Sequence, residues 1–382
     1  MISRAHRTPF AQWWWTVDRT MLSLVMLLFV TGLVLSLAAS PPVAERIGLP
    51  SLHFVLRHAF FAPIAAALAI GLSFLSPRQV RRAALILLLV SLALMIAVLF
   101  VGAEVKGSRR WIYVAGISIQ PSEFMKPAFI VICAWLFAEG SDRPDVPGRL
   151  LAAVLLLIVA ALLVAEPDLG QTMLVLAVWG ALFFLAGVSP IVVAGLAGLS
   201  LVGLFFAYQV FPHVADRINR FLDPSSGDSF QIDTALQSFQ RGGWAGTGPG
   251  EGVMKRILPD SHTDFVFAVV AEEFGILICM LLVLLFAALV MRGLMQAFRR
   301  KSAFERLAIA GLATQIGMQS FINMGVNLHI LPAKGMTLPF ISYGGSALLS
   351  AAITVGFLLA LSRRSYDQHV TVVPRAAAVA QT

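Results

Sequence analysis

The run MLSLVMLLFVTGLVLSLAAS, Met21 to Ser40, decides what kind of protein this is. It carries no charge and follows Arg4, Arg7 and Arg19. As a helix it would measure about 30 Å, the thickness of a bilayer's hydrocarbon core. The apolar core of a secretory signal is shorter, about 7 to 15 residues. Although SLAAS at its end is faintly cleavage-like, the segment reads as a retained membrane anchor.

Working outward, comparable runs start near Phe54, Ala83, Glu123, Leu150, Gln171, Pro190, Phe265, Arg306 and Phe340, the last ending near Leu361. Of the 382 residues, 58% are hydrophobic and 13% charged, with a mean hydropathy of +0.85. Soluble domains do not have such a composition. The expectation is an all-α polytopic membrane protein with about ten transmembrane helices over 21–362. Tails cover 1–20 and 363–382, and one long extracytoplasmic loop covers 212–264. No internal repeat stands out.

A formal charge of +8 would suit nucleic acid if it formed a patch. With ten spans both termini share a side, and 16 of the 28 Lys and Arg fall there. Of the other 12, five lie in the 212–264 connection, and long loops count little in setting orientation. The acids run the other way, with 14 of 20 on the far side or in spans opening to it. Cationic loops stay in the cytoplasm. Both termini are therefore expected there, and nucleic acid drops out as a partner.

Cys133 and Cys279 lie inside apolar runs, and no CxxC, HExxH or Cys/His cluster is spaced for a metal. Neither a disulfide framework nor structural zinc is implied. Trp13, Trp14 and Trp15 read as an interfacial belt rather than a partner site, because indole rings favour the headgroup region.

The far-side loops carry the unusual chemistry. In GAEVKGSRRWIYVAGISIQPSEFMK (102–126), Lys106, Arg109 and Arg110 precede Glu123 and Lys126, which share a helix face and could simply pair. The functional alternative is a cationic rim for a phosphate-bearing ligand. In EPDLGQ (166–171), Asp168 and Gln171 have capping-box spacing, while Glu166 is less easily explained as a cap. Arg57 and His58 lie one turn inside the second span, where snorkelling competes with a pathway role. Arg217 and Arg220 open the long connection, and its glycine-dense GGWAGTGPGEG (242–252) lacks the Lys-Ser/Thr of a nucleotide loop.

LPDSHTDFVFAVVAEEFG (258–275) enters the eighth span with Asp260, His262, Asp264, Glu272 and Glu273. Ser261 or Thr263 could cap that helix, making Asp264 a first-turn acid. Glu272 would then lie about 12 Å deeper, where an ionisable group should face the protein interior. Acids at both depths favour a polar cavity open to the far side.

Together these strings resemble the SEDS family of FtsW, RodA and SpoVE. The matches are GSRRWI with QPSEFMK, EPDLGQ, LPDSHTDFVF with EEFG, and LPAKGMTLPFISYGGS (331–346), in order over about residues 18–362. AKGMTLPFISYGG is similar to the FtsW division branch, since RodA-like chains usually lack this lysine. The chain departs from the pattern at Asp260, where glutamate is usual, and at Ala347, where serine is common.

The resemblance implies a peptidoglycan glycosyltransferase that polymerises lipid II at the outer face of the bacterial cytoplasmic membrane. Its partners would be a class B penicillin-binding protein (FtsI-type transpeptidase) and other divisome membrane proteins, and its place the septum. The family's essential acid maps onto Asp264, the expected catalytic base. Arg109, Arg110, Glu123, Lys126, Glu166, Asp168, His262, Glu272 and Lys334 are the expected substrate-binding residues. No cofactor is firmly implied, and a divalent cation, Mg or Mn, stays open. Two alternatives also stand: a lipid II flippase, whose polar groups should lie near the midplane on broken helices, and a RodA-like polymerase for elongation. A non-catalytic scaffold would leave the rim carboxylates unexplained.

Overall fold

The computed structural model describes residues 8–105, 108–114, 116–210, 215, 218–219, 230–332 and 335–364. Helix α1 (Pro9–Thr16) leads into α2 (Arg19–Ala39), α3 (Pro41–Arg46), α4 (His53–Ser73) and α5 (Pro77–Val101). Strands β1 (Ala103–Val105), β2 (Ser108–Val114) and β3 (Ile117–Ile119) follow. Next come α6 (Pro121–Asp142), α7 (Gly148–Ala165), α8 (Leu169–Leu185) and α9 (Pro190–Val210). The chain closes with α10 (Phe230–Gly242), α11 (Met254–Ile257), α12 (Val266–Phe298), α13 (Ala303–Asn327) and α14 (Gly345–Leu361).

Helices α2, α4 to α9 and α12 to α14 coincide with the apolar runs. Seven are long and apolar enough to cross a membrane, and α8 and α14 are shorter apolar helices. The tenth, α13, has 25 residues and a buried face that carries amides. The chain is a multi-pass membrane protein.

Local chemistry sets where these helices begin. Asp18 accepts the Met21 N–H at 3.0 Å, Ser76 and Gln79 form a reciprocal capping box, and Pro121 sits in the first turn of α6. Such caps satisfy N–H groups that lipid cannot. Helices α6, α13 and α14 form the interior, with α6 packed on α5, α7, α8, α13 and α14. Helices α5, α7 and α9 turn residues such as Ile86, Leu157 and Ile191 outward, the surface a bilayer covers. Lipid tails are as apolar as leucine, so close packing and polar bonds, rather than water exclusion, hold the interior.

Several details depart from the sequence expectation. Residues 103–119 form an antiparallel meander, pairing Ala103 with Trp111 and Ile112 with Ile119. Within 212–264, α10 and α11 replace part of the expected loop. Thr234, Ser238 and Gly242 recur every fourth residue on the buried face of α10, which packs on α12. Trp13 is a core anchor rather than a belt residue: its Nε1 donates to Ser73 Oγ at 2.7 Å and its ring stacks on Phe74.

Helix α12 is broken at Gly275, where φ is 80° and ψ 175°. The glycine-dense segment repairs the break. Thr247 and Gly248 donate to the carbonyls of Glu272 and Glu273 at 2.9 and 3.0 Å, and Ile276 donates to that of Gly243 at 2.9 Å. A Cβ on Gly242 would lie 1.8 Å from the Ala271 carbonyl oxygen, and one on Gly275 2.4 Å from that of Trp244. Only glycine permits this approach.

Candidate active site

The turn that enters α12 is built on Asp260. Its φ is 53°, and its carbonyl accepts the N–H groups of Thr263, Asp264 and Phe265 at 3.0, 3.0 and 3.2 Å. The helix begins after Phe265 with no side-chain cap. Ser261 and Thr263, expected as caps, donate instead to the carbonyls of Lys255 and Asp260. Asp264 therefore stands ahead of the helix rather than in its first turn.

Helix α13 carries Gln315, Gln319, Asn323 and Asn327, which recur every fourth residue and are all buried, and the two asparagines fix that turn. Asn323 and Asn327 each donate to the Asp264 carbonyl at 2.9 Å. Asn327 Oδ1 also accepts the Ala268 N–H at 3.0 Å. From the other side, Tyr343 N–H donates to the His262 carbonyl at 2.9 Å and the Ser342 hydroxyl donates to that of Thr263. The main chain of Asp264 is locked while its side chain is part-exposed. With Gln231, Asn323, Gly335 and Met336, among others, Asp264 lines a cavity of about 40 Å³.

Behind the turn runs a buried polar network. Lys126 Nζ donates to Glu123 at 2.9 Å and to Gln319 at 3.0 Å, and Gln171 Nε2 donates to Glu123 at 2.7 Å. Asp168 caps α8 by accepting the Gln171 N–H at 3.2 Å. Arg110 lies 3.7 Å from Asp168 and donates to the carbonyls of Glu166 and Pro167. Arg110 thus closes the end of α7.

The expected cationic rim is reduced accordingly. Lys126 is 1% exposed, so it is an interior ion pair and not a rim charge. Arg110 is turned into the 166–168 bend. Arg109 alone among the described members of that set keeps an exposed guanidinium, 3.7 Å from the exposed Glu104. Lys334, Lys106, Arg217 and Arg220 lie outside the described residues.

The remaining expected residues are also drawn inward. Glu166 is buried, and both its carboxylate oxygens lack a hydrogen-bond partner among the described residues. Burial first, and then the charge of Asp168, push its pKa up to about 8 against the pull of Arg110, so it is protonated at neutral pH. Burial likewise raises Asp168, opposed by Arg110 and the Gln171 N–H. His262 packs against Phe54 and Tyr343 with ring centroids 4.6 and 5.5 Å away. Burial lowers its pKa to about 4, so it carries no charge toward a ligand.

Glu272 does not line an open polar cavity. Its carboxylate accepts the N–H groups of Val253 and Met254 at 2.8 and 2.9 Å, while Glu273 accepts that of Gly250 and pairs with Lys255. These acids fasten the 246–255 segment to the bundle. Among the described residues no three His, Cys, Asp or Glu side chains converge as metal ligands.

The family model of the FtsW/RodA/SpoVE cell cycle proteins matches residues 18–367. The chain belongs to this family. Among its relatives, the probable peptidoglycan glycosyltransferase FtsW of Caulobacter vibrioides is 48% identical over 363 residues, covering 95% of this chain and 93% of that protein. The FtsW of Aromatoleum aromaticum is 37% identical, covering 87% and 84%. The solved structures that share the fold include two at 29 and 28% identity to this chain. One is a chain from work on the structural coordination of polymerization and crosslinking by a peptidoglycan synthase complex, with a TM-score of 0.76 and 29% identity. The other is the rod shape determining protein RodA of Thermus thermophilus, with a TM-score of 0.68 and 28% identity. Each comparison covers 91% of this chain and 97% of the other.

In this FtsW/RodA/SpoVE member, sequence reasoning missed the amide ladder of α13. Its signal was present as a polar residue at every fourth position from 315 to 327 in an otherwise apolar run. The meander also had a signal, the β-branched and aromatic WIYV (111–114) separated from ISI by Ala-Gly.

Proposed function

We propose that this chain is a peptidoglycan glycosyltransferase that polymerises lipid II, with Asp264 as its general base. The observation that carries the assignment is the construction of the Asp264 turn. Two buried asparagines hold its main chain while its carboxylate lines a cavity at the mouth of a membrane span. The donor sugar of lipid II is α-linked to pyrophosphate and the glycan is β-linked, so one in-line displacement suffices. The acceptor hydroxyl loses its proton as it attacks, and a positioned carboxylate can take it.

The departing pyrophosphate needs cationic help. Arg109, exposed on β2, is the proposed source of that help, with Lys334 of the 331–346 motif as a second. Glu123, Lys126, Glu166, Asp168 and Glu272 act by shaping the walls rather than by touching the reacting atoms. Domain limits, septal placement and cytoplasmic termini complete the proposal. Its support is the charge asymmetry, the FtsW-like AKGMTLPFISYGG motif and the FtsW names of the relatives. A transpeptidase of the penicillin-binding class is the expected partner, supported by the peptidoglycan synthase complex that shares this fold.

The test is Asp264→Asn in purified protein given labelled lipid II with its transpeptidase partner. The variant keeps the size of the side chain but not its basicity. Polymer formation should fall by roughly 10²- to 10⁴-fold, the usual contribution of a positioned base, with melting temperature and partner binding unchanged. Near-normal polymerisation by this variant would remove Asp264 from the chemistry.

A further inference from the structure

At the opposite end of the bundle, α1, α2, α12 and the residues after α14 enclose a cavity of about 320 Å³. Its wall carries three guanidinium groups, Arg19, Arg292 and Arg364, against a single carboxylate, Asp18. Asp18 is buried and committed to the protein. Its Oδ1 accepts the Met21 N–H, and its Oδ2 accepts Arg292 Nε at 2.9 Å and Gln296 Nε2. Arg292 and Asp18 balance one another. Arg19 and Arg364 leave the cavity net positive, and among the described residues no acid lies within ion-pair distance of either.

The wall is held in place. The Arg19 guanidinium lies 4.9 and 4.7 Å from the ring centroids of Trp14 and Trp15, and its Nε donates to the Trp14 carbonyl at 3.4 Å. Stacking fixes the guanidinium plane and leaves its donor edges for a ligand. The Arg364 N–H donates to the Thr16 carbonyl at 3.0 Å, tying this end of the chain to α1. Trp13, anchored on Ser73 and Phe74, fixes α1 itself.

The depth identifies the occupant. The apolar run of α2 begins just after Arg19, and α14 ends at Leu361, so the cavity lies at the level of lipid headgroups, where indole rings collect. We propose that this cavity binds the phosphate group of an anionic phospholipid headgroup, gripped by Arg19 and Arg364. Arginine matches phosphate oxygens with paired N–H donors. Basic pockets between helix ends are suited to such headgroups. A bound lipid would tie α1, α2 and α12 together.

The test uses the full chain in phosphatidylcholine nanodiscs with and without phosphatidylglycerol, counting retained lipid by native mass spectrometry. Arg19→Gln and Arg364→Gln should each lower phosphatidylglycerol retention about fivefold, and the double variant roughly 25-fold. Arg299→Gln, exposed and outside the cavity, should retain it as wild type does. Unchanged melting temperatures in pure phosphatidylcholine show that the variants fold. The assignment falls if Arg299→Gln loses as much lipid as Arg19→Gln, because binding is then diffuse. It also falls if wild type retains phosphatidylglycerol no better than phosphatidylcholine. If free glycerol phosphate raises the melting temperature as much as phosphatidylglycerol does, the occupant is a soluble ester and the lipid assignment is wrong.

Discussion

Asp264 and Lys126 stand at the same end of the bundle, yet their surroundings give them opposite characters. Asp264 has a fixed main chain and a part-exposed side chain, whereas Lys126 is enclosed by Glu123, Gln319 and the helices that carry them. Removing one partner of a buried pair leaves an uncompensated charge and costs about 3–5 kcal/mol. Lys126→Ala should therefore lower the melting temperature in detergent, while Arg109→Ala, from an exposed pair worth about 0–1 kcal/mol, should leave it unchanged. If Lys126→Ala melts like wild type and only loses polymerisation, the lysine belongs to the substrate after all. The three-residue spacing of Glu123 and Lys126 offered their pairing as one of two readings, beside a cationic rim. Their depth was not legible, because it depends on α8 and α13 closing over them from distant parts of the chain. Asp264 was legible through its motif and its place at the mouth of a span, but not the asparagines that hold it.

The break in α12 shows the same limit among elements. A run of 33 residues reads as one span, and GGWAGTGPGEG reads as a flexible connection. In the folded chain each explains the other, since the glycine segment supplies the hydrogen bonds that the break at Gly275 gives up. Gly275→Ala would place a side chain in a conformation nearly reserved for glycine, a strain of about 1–3 kcal/mol, besides the collision with the Trp244 carbonyl. Its melting temperature should fall, and protease should cut within 243–250 faster than in wild type. An unchanged cleavage rate would mean that the segment is not held by the break. Periodicity and turn chemistry locate elements, but a junction between two of them belongs to neither sequence alone.

Across the whole molecule the ten apolar runs were the most legible property, because seven of them form helices long and apolar enough to cross a bilayer. Orientation rests on the cationic asymmetry and is open to a direct test. A membrane-impermeant maleimide applied to intact cells should label Glu251→Cys and miss Lys301→Cys. Both positions are exposed, and Cys133 and Cys279 are buried enough to give little background. The reverse pattern would invert the topology and put Asp264 on the wrong side for lipid II polymerisation. The amide ladder of α13 also bears on how the chain is synthesised. Alone in lipid, Gln315, Gln319, Asn323 and Asn327 would each expose an unsatisfied amide, costing roughly 2–7 kcal/mol apiece. Helix α12 leaves the ribosome first, and only residues 299–302 separate it from α13. So short a connection favours entry of the two as a hairpin, with α13 sheltered against α12 and α6. Its polar bonds are completed only when Met336 and Thr337, whose carbonyls accept from Asn323 and Gln319, have been translated.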